Sequence, residues 1–185
     1  MKKSHYFSKY FESVGQKLNS IDTTLLERAV AMVWVVHKAG KKIIIAGNGG
    51  SAAMASHVAV DFTKAAGIRA INFNEADLIT CFSNDYGYEH WVAQALEAYA
   101  DTGDLTILIS SSGKSQNILN AAEKAKNIGL SVITVSGFSP NNPLRKLGDL
   151  NLWVDSSEYN IVEMTHHIWL VAIIDYIIET KGIKE

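Results

Sequence analysis

Apolar positions along the chain change their spacing several times, and each change marks an element. Phe7, Tyr10, Phe11, Val14 and Leu18 recur at intervals of three and four, the spacing of one helix face. Leu25, Leu26, Ala29, Val30, Val33 and Val36 repeat that pattern between a start signal at Asp22 or Thr23 and a stop at Gly40. The period then changes. Ile43-Ile44-Ile45-Ala46 is short, continuous and largely β-branched, and it ends in Gly47-Asn48-Gly49-Gly50-Ser51. Such a run reads as a strand covered on both faces. Segments 70–73, 105–109, 131–135 and 151–154 read as further strands, with helical patterns at about 51–65, 86–99 and 115–128 and a long last helix from about 158 to 179.

This alternation predicts βαβ units. The expected architecture is α/β: a three-layer αβα sandwich around a five-stranded, mainly parallel sheet, forming a single domain over residues 1–185. The two helices within residues 1–40 stand outside the alternation and are free to cover a sheet edge or to pair with a second subunit. Both prolines fall in Ser139-Pro140-Asn141-Asn142-Pro143, which marks a surface turn between periodic segments rather than a domain boundary.

Composition narrows the function classes. The chain has 185 residues, 48% hydrophobic and 19% charged, ample for a core and unlike a disordered chain. Seventeen Lys and Arg against nineteen Asp and Glu leave a formal charge of -2, which argues against a broad nucleic-acid surface. Trp34, Trp91, Trp153 and Trp169 read as packing residues. The single cysteine, Cys81, cannot form an intrachain disulfide, which fits a reducing cytoplasm, and beside Phe82 it is expected in the core. The apolar run 168–178 is about half the ~20 residues of a membrane span and contains Asp175, so it reads as a buried helix. The first seventeen residues carry no signal-peptide core.

Two strand-to-helix loops carry candidate chemistry, and in an open parallel sheet ligands gather at the carboxyl ends of strands. Gly47-Asn48-Gly49-Gly50-Ser51 allows close backbone approach and leads into a helix whose first N–H groups suit an anion. Ser110-Ser111-Ser112-Gly113-Lys114-Ser115-Gln116 sets four hydroxyls at a second helix start. Each is also readable as a tight turn or a helix cap alone. Neither is a P-loop: the first lacks the lysine, and Leu108 stands where the second would need its leading glycine.

Together, GNGGS, SNDYGYE and ISSSGKS resemble the sugar isomerase (SIS) family, in its phosphoheptose isomerase branch, over most of the chain. The resemblance implies a five-stranded parallel sheet between helices and a homotetramer with sites between subunits. It implies phosphate contacts at Ser51, Ser110, Ser112 and Ser115, with Ser111 facing the sugar and Asn48 and Gly49 in the first loop. Asp85 matches an acidic position near the sugar pocket; by its place it suits a helix cap equally. The activity implied is aldose–ketose isomerisation, most directly of sedoheptulose 7-phosphate for lipopolysaccharide or capsule heptose. No cofactor is required by this reading.

Isomerisation needs a base to move a proton between adjacent carbons and a group to manage the oxygen's charge. His57 and Asp61, four residues apart, share one helix face and match the family's helix-borne histidine and catalytic glutamate, the latter shortened here to aspartate. The family's glutamine and histidine on the last helix fall on Val162 and Leu170. Residues 162, 166 and 170 form one stripe, so His166 is expected to project into the pocket in place of the missing histidine, with Glu163 orienting it or acting directly. His167, about 100° around the helix, is the weaker candidate. An intrahelical pair at 57 and 61 and a buried core histidine at 166 are the plain structural readings of the same residues. Some family members bind zinc at the altered positions, which makes a zinc on His57, Asp61 and His166 a secondary possibility. Two further functions stay open: a catalytically silent module binding a phosphosugar or the bacterial replication initiator, and an isomerase for a pentose or hexose phosphate.

Overall fold

The structure is a computed structural model that describes residues 4–181; the outermost residues of the expected 1–185 domain, Lys2 and Lys3 among them, lie outside the described residues. Chain order is α1 (Ser4–Leu18), α2 (Thr23–Lys38), β1 (Ile43–Gly47), α3 (Gly50–Lys64), β2 (Ala70–Asn72), α4 (Ala76–Tyr86), α5 (Trp91–Tyr99), β3 (Leu105–Ser110), α6 (Gln116–Asn127), β4 (Ser131–Ser136), β5 (Leu150–Trp153) and α7 (Tyr159–Thr180), with a 3-10 turn at Leu144–Lys146 before β5. The five strands form one sheet in the order β2-β1-β3-β4-β5, and every pairing is parallel.

Alternate side chains of the strands supply two cores. Ile43, Ile45, Leu105, Ile107, Ile109, Ile133 and Val135 face α2, α3 and α7, while Ile44, Ala46, Leu108 and Val132 face α5 and α6. Both faces of β1 and β3 are therefore buried, which is why these strands read as unbroken apolar runs. At the amino end of the sheet, the buried Asp104 accepts hydrogen bonds from Lys42 N (2.9 Å) and Asp101 N (2.8 Å) and pairs with the Lys42 ammonium at 2.6 Å. That clamp joins the entries of β1 and β3. α1 lies outermost, and the Trp169 indole of α7 donates to Leu18 O at 3.1 Å.

Two expectations change. The helix expected over 86–99 starts later, at Trp91, as α5; it is preceded by α4, a helix the sequence pattern does not predict, which ends before Gly87, whose φ of +85° stops it. In α4 the partly buried Leu78, Ile79 and Phe82 pack on the second core, so Cys81 turns outward and is exposed rather than in the core. α7 has 22 residues, long and apolar enough by composition to cross a membrane. Half of that stretch is buried, with Val162, Trp169, Leu170, Ile173, Ile174 and Ile177 in the first core; it covers the sheet as a core helix.

β1 meets α3 at close range because Gly47 lacks a side chain. A Cβ there would lie 2.7 Å from Ser51 Cβ and 2.9 Å from the Ser51 carbonyl carbon. Gly47→Ala is expected to cost about 1–3 kcal/mol through this overpacking. The check is urea denaturation: the midpoint should fall with the slope unchanged, and an unshifted midpoint would show that α3 moves freely.

Candidate active site

Strand order places the loops. Gly47 of β1 is in register with Ile109 of β3, so the two carboxyl ends lie side by side. From there the chain departs to opposite faces, into α3 on one and α6 on the other. The crevice so opened is a cavity of about 130 Å³ lined by Asn48, Ser51, Ile109, Ser110, Ser111, Ser112, Ser115, Tyr159 and Glu163.

Hydroxyls dominate its wall. Ser110 and Ser115 are hydrogen-bonded at 3.0 Å, and Ser111 Oγ donates to Glu163 Oε1 at 3.4 Å. Lys114 is exposed and absent from the lining, so neutral donors rather than an ammonium face the space. The N-caps of α3 and α6, Gly49 and Ser115, make no side-chain capping bond, which leaves first-turn N–H groups for an anion. Gly49 holds φ +54° and ψ -121°, a conformation that glycine adopts without strain. Gly50 sits against the Glu163 carboxylate, and any Cβ at 50 would collide with it.

Asn48 is fixed from two sides. Its amide exchanges hydrogen bonds with the buried Asn117 of α6, at 2.9 and 2.8 Å, and Tyr88 Oη donates to its Oδ1 at 3.1 Å. The segment around Asp85 thus reaches the site through Tyr88. Asp85 itself is exposed near the end of α4, accepting from Asn84 Nδ2 at 2.9 Å; it neither lines the cavity nor caps α5, whose N-cap is His90.

A second polar group lies farther along the seam between α3 and α7. His57 Nε2 is 3.1 Å from Asp61 Oδ2, and His57 Nδ1 is 2.8 Å from His167 Nε2. The two rings meet edge to face at 90°. His57 and His167 border a separate, shallow cavity of about 270 Å³ with Ile168, Val171, Ala172 and Asp175. Burial, and next the charge of His57, hold the His167 pKa below the ordinary imidazole value, with Asp61 acting the opposite way.

His166 behaves otherwise than expected. It is wholly buried, its ring nitrogen Nε2 lies 3.0 Å from Ser136 O, and Nδ1 has no partner. Val162 and Leu170, which share its stripe, are equally buried: the stripe faces the sheet, not the cavity. A zinc on His57, Asp61 and His166 does not fit this arrangement. His57 directs its two nitrogens to Asp61 and His167, His166 is enclosed, and positions 162 and 170 offer no donor atom. Among the described residues no group of three acidic, histidine or cysteine side chains is arranged around a common metal position.

The chain belongs to the SIS domain family, whose model matches residues 7–137. The chain is 40% identical over 180 residues to the phosphoheptose isomerase of Crocosphaera subtropica, covering 94% of this chain and 88% of that one. It is 38% identical over 156 residues to the phosphoheptose isomerase of Campylobacter concisus, covering 80% and 81%. A phosphoheptose isomerase structure from Francisella tularensis superposes with a TM-score of 0.88 at 25% identity, covering 97% of this chain and 100% of that one. Within the family, the chain falls in the phosphoheptose isomerase branch.

Burial lowers the His166 pKa to about 4, partly offset by the hydrogen bond to Ser136. The unfolded imidazole titrates near 6.5, so between these values only the unfolded chain takes up the proton. The neutral buried ring therefore contributes fully above about pH 6.5, and roughly 3 kcal/mol is lost as pH falls toward 4. His166→Gln is expected to flatten unfolding free energy against pH across that window; an unaltered slope in denaturation series would refute the assignment.

Proposed function

We propose that the protein is an aldose–ketose isomerase of a sugar phosphate, interconverting sedoheptulose 7-phosphate and D-glycero-D-manno-heptose 7-phosphate. The observation that carries this reading is the convergence of Ser51, Ser110, Ser111, Ser112 and Ser115 on one cavity, in a chain of the phosphoheptose isomerase branch. In the proposal these hydroxyls and the free N–H groups at two helix starts hold the phosphate, and Asn48 and Glu163 meet the sugar. Glu163 repels a dianion, so the phosphate sits toward Ser110, Ser112 and Ser115, and the carboxylate faces neutral sugar hydroxyls. His57 and Asp61 belong to the acid–base group at the far end. The product would feed cell-surface heptose for lipopolysaccharide or capsule. The reading also includes a cytoplasmic homotetramer built from the whole 1–185 domain, with residues 1–40 in its contacts and sites between subunits; Asp85, remote from the cavity in one protomer, would act there.

One observation favours a second reading. The positions to which the resemblance assigns the family's glutamine and histidine are Val162 and Leu170, both buried, which suits a module that binds a phosphosugar without transforming it. Hydrogen exchange separates the two. Incubated with sedoheptulose 7-phosphate in heavy water, the isomerase takes deuterium into C1 and C2, and Ser112→Ala should raise KM about fivefold with the loss of one hydrogen bond. Binding of the sugar phosphate with no deuterium incorporated would favour the silent module.

A further inference from the structure

We infer that His167, wired through His57 to Asp61, is the base that removes the substrate's carbon-bound proton. The inference rests on the isomerase reading and adds to it the residue that acts.

Hydrogen-bond polarity assigns the roles. A carboxylate only accepts, so the 3.1 Å contact to Asp61 puts a proton on His57 Nε2. The neutral imidazole of His57 then has a bare Nδ1. With His57 neutral, the 2.8 Å contact there is donated by His167 Nε2. His167 in turn is left with an unprotonated Nδ1, and that nitrogen has no partner among the described residues and is not among their enclosed, unpartnered atoms. The chain of bonds therefore ends in an imidazole nitrogen with a free lone pair, on a ring that borders the shallow cavity beside His57. Asp61 acts as the positioning residue: it holds His57 in the accepting tautomer, which holds His167 in turn, the logic by which a carboxylate orients a catalytic imidazole. The shortened side chain at 61 thereby has a task, engaging His57 one turn earlier on its own helix.

The seam connects this base to the phosphate site. Gly50 of α3 packs on Glu163 of α7, and His57 meets His167, so both helices advance together from cavity to imidazole. Glu163 and His167 are one turn apart on one face, a rise of about 6 Å. On α3 the one exposed residue between Gly50 and His57 is Ala53, whose methyl leaves room for a chain passing over it. A sugar phosphate anchored at the serine loop and extended along this seam carries its carbonyl end toward His167.

In the step itself the C1–H bond of the ketose breaks. Its electron pair forms the C1=C2 bond, the C2 carbonyl electrons move to oxygen, and the proton goes to His167 Nδ1. The imidazolium keeps its Nε2–H on His57 and is stabilised by Asp61. Returning the proton to C2, as the O1 hydroxyl proton exchanges through water with O2, yields the aldose and restores the neutral ring.

The test uses His167→Gln in the full-length protein with sedoheptulose 7-phosphate in heavy water. Deuterium incorporation should fall at least about a hundredfold, while the thermal shift produced by the sugar phosphate stays at the wild-type value. Incorporation at the wild-type rate would overturn the assignment alone; a wild-type protein that binds without exchanging would overturn the isomerase reading with it. Should His167→Gln not fold, Asp61→Asn carries the same test: kcat falls with KM unchanged, and unchanged kcat contradicts the relay. Exchange that vanishes on chelation and returns with zinc would also overturn it.

Discussion

The site depends on one topological constraint: β1 and β3 are neighbours in the sheet, but the helices that follow them leave for opposite faces. No connection crosses the gap between their carboxyl ends, so a crevice is unavoidable there. Two loops that are distant in the chain become adjacent walls, and the helix starts behind them direct unpaired N–H groups to the same region. The residues that make the crevice chemically specific are small. Gly47 permits α3 to approach, Gly50 leaves space for the Glu163 carboxylate, and serines supply donors without bulk.

How far the sequence reveals this differs by element. β1 and β3, buried on both faces, announce themselves as β-branched runs, and the serine and glycine loops follow directly from where those runs end. α4 was not visible in the same way. Its apolar positions Leu78, Ile79 and Phe82 are few and only partly buried, and the helix is short, so the helical pattern is legible only over 86–99. The outward turn of Cys81 follows from that same missed helix.

The histidines of α7 show the limit of reading a stripe without its neighbours. Residues 162, 166 and 170 do share a face, as the spacing says. Two of the three are apolar, and that is the signal that the face belongs to the core; the imidazole between them is enclosed against Ser136. A rotation of about 100° places His167 at the edge of the helix instead, where α3 brings His57 within hydrogen-bonding distance. That encounter depends on how α3 and α7 cross on the sheet, which local spacing does not encode. Tyr159, Tyr88 and Asn117 were missed for the same reason: each reaches the site from an element whose placement only the packed fold defines.

The central claim is that one anionic head group is held between the tips of β1 and β3. Crystals of the protein soaked with sedoheptulose 7-phosphate test it most directly. The account predicts phosphate oxygens within hydrogen-bonding distance of the hydroxyls at 51, 110, 112 and 115, with the sugar running along α3 past Glu163. A phosphate bound elsewhere, with these hydroxyls facing only water, would contradict it.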